Sequence, residues 1–443
     1  MKIYQCHLRR FFPAVGKLGI KLISFVFVTI FSFFLFSGSG WAATYTATTC
    51  SALDVTSAIS KASSGDTVLV PAGGCTWTTT NNITINKQIT LQGNGIDSTI
   101  ITTSGTGYQD VVAISAANVT VKEFTFISTD GSLAYPIQAT AAASSFRIAR
   151  NKFTGTSGYA IDVRTAYGLI DNNSFTFTGG SSQPIVVRGP SDSWQTESTI
   201  GGADNVFMED NVFTSTNRGY PVCSTNARCV FRYNTMGPTK IDMHGECTGN
   251  PGVRHYEIYN NEWLDYGGYY AAFDIRGGTG RIFDNVGTHT ANVHLWFGLD
   301  EHAANHTYCA GYSPNCGCVA PWVAGVPMIH QIGVGKDPKV RASEPLYIWG
   351  NKKNGAYWPA AINTDVALCA TVAQCGIDFK MSMVLTEGID FFNSEAKPAA
   401  MAGYKPYGIY LNGRYYHPLQ MTAPLQITAP LQMTAPPRNL RIN

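Results

Sequence analysis

A short phrase that ends on asparagine recurs along the chain, and its spacing limits the available folds more than any other feature. The recurrent asparagines are separated by 22, 38, 23, 27 and 24 residues. They are Asn151, Asn173, Asn211, Asn234, Asn261 and Asn285. Self-similarity at such a period is typical of a solenoid, in which each repeat is one small structural unit stacked on the next.

Each repeat consists of short strands joined by turns. The phrases "FRIARNKF" and "YGLIDNNSF" alternate apolar and polar residues, and no helical periodicity lies between them. In a parallel β-solenoid, equivalent residues of successive coils stack about 4.8 Å apart. A stacked asparagine can bond to the asparagines above and below it, and it tolerates the left-handed backbone of a sharp corner. We therefore predict that these asparagines are structural, and that the large apolar residue two positions later turns into the core.

The beginning of the repeat region has features of a cap, which a solenoid needs over the open end of its core. "SALDVTSAISKA", residues 51–62, has the apolar spacing of an amphipathic helix, and a strand pattern follows it. Cys50 and Cys75 flank this first folded element. The sequence predicts an N-terminal cap in which a disulfide joins these two cysteines.

The first 43 residues resemble a targeting segment and not part of the fold. Basic residues precede an apolar run from Leu22 to Phe36, and small residues follow as far as Ala43. A run of that length is short for a membrane span and suits a secretory signal peptide, with an uncleaved anchor as the alternative. We expect a protein that is secreted or held at the cell surface, with no membrane segment in the mature chain.

Cysteine usage agrees with export, because ten cysteines remain once the signal is removed and even numbers favour disulfides. Cys223 with Cys229, and Cys369 with Cys375, are spaced to close small loops. The pairing of the other four stays open; they are Cys247, Cys309, Cys316 and Cys318. A zinc site in "CAGYSPNCGC" is the alternative, but the usual Cys-x-x-Cys spacing is absent.

Charge and the C-terminal composition limit the partners and the domain plan. The net charge is only +2 with 14% charged residues, so no basic stripe is available for nucleic acid. From residue 421 the chain is a Pro- and Thr-rich six-residue repeat, "PLQMTA", which is typical of an extended linker. We predict a signal peptide at 1–43, one all-β domain at 44–420 and a low-complexity tail at 421–443.

Several stretches resemble a known group of proteins. "DVTSAISKASSGDTVLVPAG" followed by "ITLQGNG" resembles the opening of secreted bacterial right-handed parallel β-helix proteins of the pectate-lyase-like superfamily. Later stretches, among them "MHGECTGNPGVRHYEIYNNEW", "RGGTGRIFDN" and "EPLYIWGN", resemble the same group. The resemblance covers residues 45–420 and implies a right-handed parallel β-helix. It also implies a polysaccharide, most suitably an acidic one, as the partner.

The resemblance favours a lyase that acts by β-elimination, which needs a neutralised uronate carboxylate and a base for the C5 proton. Seven of the nine histidines lie between His244 and His330, and charged residues are concentrated at 242–276. The candidate catalytic residues are His244, Arg254, Glu257 and Arg276. Asp242 and Asp274 are candidate calcium ligands, because calcium prefers oxygen ligands. The familiar pectate lyase phrase "WIDH" is absent.

Two other functions stay open. A non-catalytic glycan-binding protein or surface adhesin would use aromatic rings as a sugar-stacking platform. The candidate rings are Trp263, Tyr266, Tyr269, Tyr270 and Trp296. A glycoside hydrolase on the same fold would need a pair of carboxyl groups at a defined separation. No adjacent Asp-Asp pair exists in the chain, which argues against a polygalacturonase. The oligomeric state is not predicted.

Overall fold

The computed structural model describes most of the predicted β domain. The described residues are 42–105, 107, 109–129, 134–156, 158–178, 183–214, 219–237, 239–245, 251–264, 271–288, 296–299, 330–336, 342–362 and 385–421. The chain divides into Met1–Ala43 and Thr44–Asn443, and the account below concerns the second unit. The apolar run of the predicted signal, the tail after Met421 and six of the predicted disulfide cysteines lie outside the described residues.

The second unit is a parallel β-solenoid, as the repeat predicts, and three sheets run along its length. Sheet 1 contains Thr44–Thr46, Thr67–Val70, Thr90–Gly93, Thr120–Lys122, Phe146–Ala149, Gly168–Asp171, Val206–Glu209, Arg228–Arg232, His255–Tyr259, Thr279–Phe283, Leu346–Trp349 and Phe391–Ser394. Sheet 2 contains Gly73–Thr78, Thr99–Ser104, Thr125–Ser128, Lys152–Gly155, Ser174–Phe177, Val212–Phe213, Thr235–Met236, Glu262–Trp263, Val286–Gly287, Lys352–Lys353 and Ala356–Tyr357. Sheet 3 contains Ile83–Ile85, Asp110–Ile114, Tyr135–Ala139, Ile161–Arg164, Ile185–Arg188, Val222–Cys223, Ile241–Met243, Ala271–Ile275, Trp296–Leu299 and Ala361–Ile362.

Pairing within the sheets is parallel throughout, except between the last two strands of sheet 2. Connections between parallel strands are almost always right-handed, the hand that the sequence predicts. A separate hairpin pairs Ile409–Leu411 with Arg414–Tyr416. Single turns of 3₁₀ helix lie at Thr79–Asn81, Ser193–Gln195, Ala399–Met401 and Pro418–Gln420.

Stacked apolar side chains fill the solenoid, because alternate residues of each strand point inward. Along sheet 2 the rings of Phe126, Phe153, Phe175 and Phe213 stack with centroids 5.3, 5.0 and 4.8 Å apart. All four are at most 1% exposed. The predicted return of a large apolar residue to the core is confirmed after five of the six asparagines, at Phe153, Phe175, Phe213, Met236 and Trp263, whereas Asn285 is followed by Gly287.

The recurrent asparagines form a ladder at the corner between sheets 1 and 2. Asn173 is representative, since its Oδ1 accepts from the backbone N–H of Asn151 at 2.9 Å and from the Asn151 Nδ2 at 3.1 Å. The ladder runs one coil further than predicted, because Asn351 accepts in the same way from Asn285. One detail of the prediction is wrong: the left-handed residue precedes the ladder asparagine, for example Asn172 with φ 55°.

The start of the solenoid contains the predicted helix, Ala52–Lys61. Ser51 caps it by accepting from the backbone N–H of Asp54, and its apolar side packs into the main core. The disulfides Cys50–Cys75 and Cys223–Cys229 are both present, as the spacing predicts. Within the described part of the chain, no helix has the length and apolar character needed to cross a bilayer.

The C-terminal strap, defined as residues 398–421, runs back over the outer face of sheet 1. Its contacts join Tyr404 to Glu257, Tyr407 to Arg232, Arg414 to Asp210 and Leu419 to Arg147. Outward-facing apolar residues of sheet 1 are buried beneath it in a second cluster, and they include Phe207, Tyr259, Phe283 and Trp349. The strap therefore makes the outer face of sheet 1 part of the folded interior.

Candidate functional site

Carboxylates occupy one outward column of sheet 3. In the strand register, Asp162 pairs with Val186, Val186 with Val222, Val222 with Asp242, and Asp242 with Asp274. Successive members of such a column are about 4.8 Å apart. The column therefore places carboxylates on one line along the axis of the solenoid, with two valines between them.

A second column, two residues further along each strand, carries cationic or imidazole side chains. Arg164 pairs in register with Arg188, and His244 and Arg276 occupy the equivalent position of later coils. The sequence signal is a repeated Asp-x-Arg or Asp-x-His pattern in "IDVR", "IDMH" and "FDIR", with "IVVR" as a variant. Residues two apart in a strand share a face. Sequence reasoning recognised this pattern only in the "FDIR" strand and missed Arg164 and Arg188.

Four charged side chains form the centre of this face. The Arg276 Nη2 lies 2.7 Å from the Asp242 Oδ1, and the Arg276 Nε lies 3.9 Å from the Asp274 Oδ2. Lys240 forms an ion pair with Asp274 and lies 3.6 Å from the Asp242 Oδ2. Two cations and two carboxylates thus interlock across neighbouring strands, with Asp242 fully buried.

These charges and their burial set the ionisation of the central groups. Burial favours a neutral Asp242, but Arg276 and Lys240 outweigh it and lower the pKa of this carboxyl. Burial and then the charge of Arg276 lower the pKa of the half-buried His244. The His244 Nδ1 lies 3.0 Å from the carbonyl oxygen of Gly245. A carbonyl only accepts, so Nδ1 carries the proton and Nε2 carries the lone pair.

The predicted calcium ligands do not form a metal-binding arrangement. Asp242 and Asp274 are adjacent, but Lys240 and Arg276 already neutralise their oxygens. Calcium usually takes six to eight oxygen ligands. Among the described residues, no group of three or more His, Cys, Asp or Glu side chains is placed to hold a metal. The two cations and two carboxylates balance one another in charge.

A second cluster lies on the same face towards the N-terminus. Asp162 is fully buried and bonds to the Arg164 Nε at 2.6 Å, to Arg188, and to the Gln138 Nε2 at 3.1 Å. The side chains of Arg164 and Arg188 are 44% and 36% exposed. Two partly exposed guanidinium groups therefore flank one buried carboxylate on this face.

Two predicted catalytic residues lie elsewhere, at sheet 1. Arg254 is buried and its Nη2 lies 2.8 Å from the Glu344 Oε1. Glu257 accepts from the backbone N–H of Gly201 at 2.8 Å and from the Tyr404 hydroxyl. Burial raises the pKa of Glu257. The structure therefore brings Asp242, His244, Asp274 and Arg276 together, and it separates Arg254 and Glu257 from them.

The aromatic candidates do not form an exposed platform among the described residues. Trp263 is 1% exposed and its Nε1 donates to the carbonyl oxygen of Thr239 at 3.1 Å, so it belongs to the core. Trp296 begins the strand Trp296–Leu299, and only its backbone is described. Tyr266, Tyr269 and Tyr270 lie outside the described residues.

Comparisons with known proteins find no matching family model and no matching curated protein. Among solved structures, the chain is similar to ORF18 of Geobacillus virus E2, with 14% identity and a TM-score of 0.42 over 81% of this chain. The match spans only 64% of that protein. It is also similar to an alginate lyase from Paenibacillus sp. strain FPU-7, with 14% identity and a TM-score of 0.31, covering 57% of this chain and 97% of that one. A mutant of the PL6 family alginate lyase AlyGC gives 13% identity and a TM-score of 0.30, covering 57% of this chain and 39% of that one.

Proposed function

We propose that the outer face of sheet 3 binds an acidic polysaccharide and cleaves it by β-elimination. The observation that carries this proposal is the pair of columns in which carboxylates stand beside arginine and histidine. The Arg164 and Arg188 side chains of this face are 44% and 36% exposed, whereas Arg232 of sheet 1 is fully buried. The fold and the sequence resemblance support an exported protein of the pectate-lyase-like superfamily.

Binding of the polymer falls to Arg164 and Arg188 in this proposal. A guanidinium pairs with a carboxylate through two parallel hydrogen bonds, and it remains charged at every relevant pH. Both side chains are partly exposed and share a single carboxylate, Asp162. Because the cations stack along the solenoid axis, the polysaccharide would lie along that axis and across the strands.

The chemical step would take place at the central cluster. Lys240 and Arg276 supply positive charge beside the uronate carboxylate, which makes the C5 proton more acidic. The His244 Nε2 takes that proton, and the electrons of the C5–H bond form the double bond between C4 and C5. The C4–O bond then breaks, and the leaving oxygen takes a proton from water. A lowered pKa keeps His244 neutral and able to accept a proton near pH 7.

The ionisation of the cluster favours elimination over hydrolysis. A glycoside hydrolase needs one protonated carboxylic acid as proton donor. Asp242 has a lowered pKa because two cations neutralise it, so it is a poor acid near neutral pH. Glu209 and Glu257 have raised pKa values, but both are buried on the outer side of sheet 1.

A second candidate is a glycan-binding protein without catalysis. The observation that favours it is the cluster of Asp162, Arg164 and Arg188, which can bind carboxylates without any group from the central cluster. In that case substitution of His244 would leave binding unchanged and no bond would break. The distinction depends on product formation and not on affinity.

The test follows unsaturated uronate ends by ultraviolet absorbance. The full-length protein with intact disulfides is incubated with pectate, alginate or glycosaminoglycans, with calcium or with a chelator. We expect a rise on one of these polymers that falls at least 100-fold in His244→Ala and Arg276→Ala. Lys152→Ala, a cation removed from sheet 2, is the matched control and should retain the full rate. Binding without any absorbance change or new reducing ends would contradict the lyase and support the second candidate.

A further inference from the structure

Buried arginines gather around a histidine on the outer face of sheet 1, away from the proposed polysaccharide site. Arg228, His255 and Thr279 are register partners on three successive strands. Arg281 lies two residues beyond Thr279 on the same face. Arg228 is 6% exposed, and both His255 and Thr279 are fully buried. We refer to these four residues as the arginine–histidine cluster.

Neither arginine of the cluster, Arg228 or Arg281, has a carboxylate partner among the described residues. Arg228 donates to the carbonyl oxygen of Ser193 at 3.3 Å and to threonine hydroxyls, and Arg281 donates to the carbonyl oxygens of Gly280 and Pro345. In the described part of the chain, neither forms an ion pair. Glu344 pairs with Arg254 and Glu257 accepts from Tyr404, while Asp192 and Asp204 act on Arg228 through their charge but form no ion pair with it. Buried charges are normally paired, since an unpaired buried charge is costly.

Four buried polar atoms of the cluster have no partner within the protein. They are the Nε of Arg228, the Nε of Arg281, the Oγ1 of Thr279 and the Nδ1 of His255. The first two are N–H donors with positive charge, and the hydroxyl can donate as well. Arg228 lies on the strand on one side of His255, and Thr279 and Arg281 lie on the strand on the other side.

His255 contributes an acceptor to the same cluster. Its Nε2 lies 2.8 Å from the Asn205 Oδ1, and the Asn205 Nδ2 donates to the carbonyl oxygens of Thr199 and Gly202. The amide orientation is therefore fixed, so the His255 Nε2 carries the proton and donates. Burial and then the charges of Arg228, Arg254 and Arg281 hold the pKa of His255 well below its ordinary value. A neutral ring with this tautomer presents Nδ1 as an acceptor.

We propose that the arginine–histidine cluster binds a small inorganic oxyanion that retains one proton, of the hydrogenphosphate or bicarbonate class. The oxyanion would accept from the Nε groups of Arg228 and Arg281 and from the Thr279 hydroxyl. Its own O–H would donate to the His255 Nδ1. Such a ligand supplies the missing negative charge and satisfies all four atoms. A halide supplies the charge but has no proton to donate.

Phosphate and sulfate form the sharpest pair of probes, because both are tetrahedral but sulfate carries no proton at neutral pH. The melting temperature of the full-length protein is measured at pH 7 and equal ionic strength in each anion, with bicarbonate as a third arm. We expect phosphate to raise Tm above its value in sulfate by about 2 °C for each tenfold rise in concentration beyond Kd. Equilibrium dialysis with labelled phosphate should give one site per chain.

The variants Arg228→Met and Arg281→Met should abolish this difference and the bound phosphate. Lys152→Met, a cation removed from sheet 2, is the control and should retain both. If Arg228→Met does not fold, phosphate binding is measured in Thr279→Val instead. This variant removes one donor and should weaken phosphate binding about tenfold. Equal Tm values in phosphate and sulfate, with no bound phosphate in the wild-type protein, would overturn the proposal and leave a buried water as the occupant. Phosphate bound equally by all the variants would place it elsewhere.

Discussion

The outer faces of sheets 1 and 3 both carry arginines paired with carboxylates, but the two faces differ in how far those arginines are exposed. On sheet 1, Glu209 and Arg232 are fully buried, and the Tyr407 carbonyl of the strap accepts from Arg232 at 2.6 Å. On sheet 3, the charges of Arg164 and Arg188 meet a carboxylate of the same face and stay partly exposed. Access for a polymer, and not the presence of charge, therefore separates the two faces.

The largest expected effect is on stability at sheet 1. Arg232→Ala leaves Glu209 buried without its cation and removes bonds to Tyr259 and Tyr407. We expect the free energy of unfolding to fall by about 3–5 kcal/mol. Arg188→Ala on sheet 3 should cost less than about 1 kcal/mol, because its side chain is 36% exposed. Denaturant unfolding of the two variants measures the contrast, and equal losses would contradict it.

The two faces should also respond to pH in opposite directions. Burial raises the pKa of Glu209 to about 7 from 4.5, so its contribution to stability is complete below pH 4.5 and is lost as pH rises through 7. The pKa of Asp242 is lowered, so its contribution is present above 3.8 and is lost as pH falls further. As pH rises from 4.5 to 7, we expect Glu209 to lower the free energy of unfolding by up to about 1.4 kcal/mol per pH unit.

Unfolding measured from pH 3 to 8 checks this expectation. Glu209→Gln should flatten the decline between pH 4.5 and 7, and Asp242→Asn should flatten the acid limb instead. A Glu209→Gln variant with the wild-type profile would show that sheet 1 does not control stability in that range.

A smaller effect is expected from the strap itself. Tyr404→Phe removes the hydroxyl that donates to Glu257 and leaves that buried carboxyl with its bond from Gly201. We expect a loss of about 1–3 kcal/mol, with lyase activity per folded molecule unchanged. Tyr410→Phe is the matched control, since this strap tyrosine is 60% exposed and should cost almost nothing. Loss of activity in Tyr404→Phe would tie sheet 1 to the reaction.

The fold was predictable from sequence because its signal is local and repeated. The ladder asparagines from Asn151 to Asn261 are each followed two residues later by a core side chain, and the same hydrogen bonds recur coil after coil. The pairing of Cys223 with Cys229 is equally local. The corner residue with positive φ was misplaced by one position, because the asparagine itself is a common left-handed residue.

The site was less predictable because its contacts depend on how coils of unequal length come into register. Arg164 and Arg188 are one ordinary coil of 24 residues apart, so the repeat itself could have placed them together. Arg254 finds its partner 90 residues away in Glu344, and Glu257 finds Tyr404 147 residues away. No periodic pattern encodes such partners, so these two residues were assigned to the wrong neighbourhood.

Salt-dependent binding of the full-length protein to immobilised acidic polysaccharide tests the central claim most directly. The double variant Arg164→Ala/Arg188→Ala is compared with Lys152→Ala/Lys352→Ala, which removes the same charge from sheet 2. If sheet 3 is the polysaccharide face, the first variant should bind roughly tenfold or more weakly and lose part of its salt dependence. The second should bind like the wild-type protein. Equal weakening of both would show that net charge, and not the columns of sheet 3, governs binding.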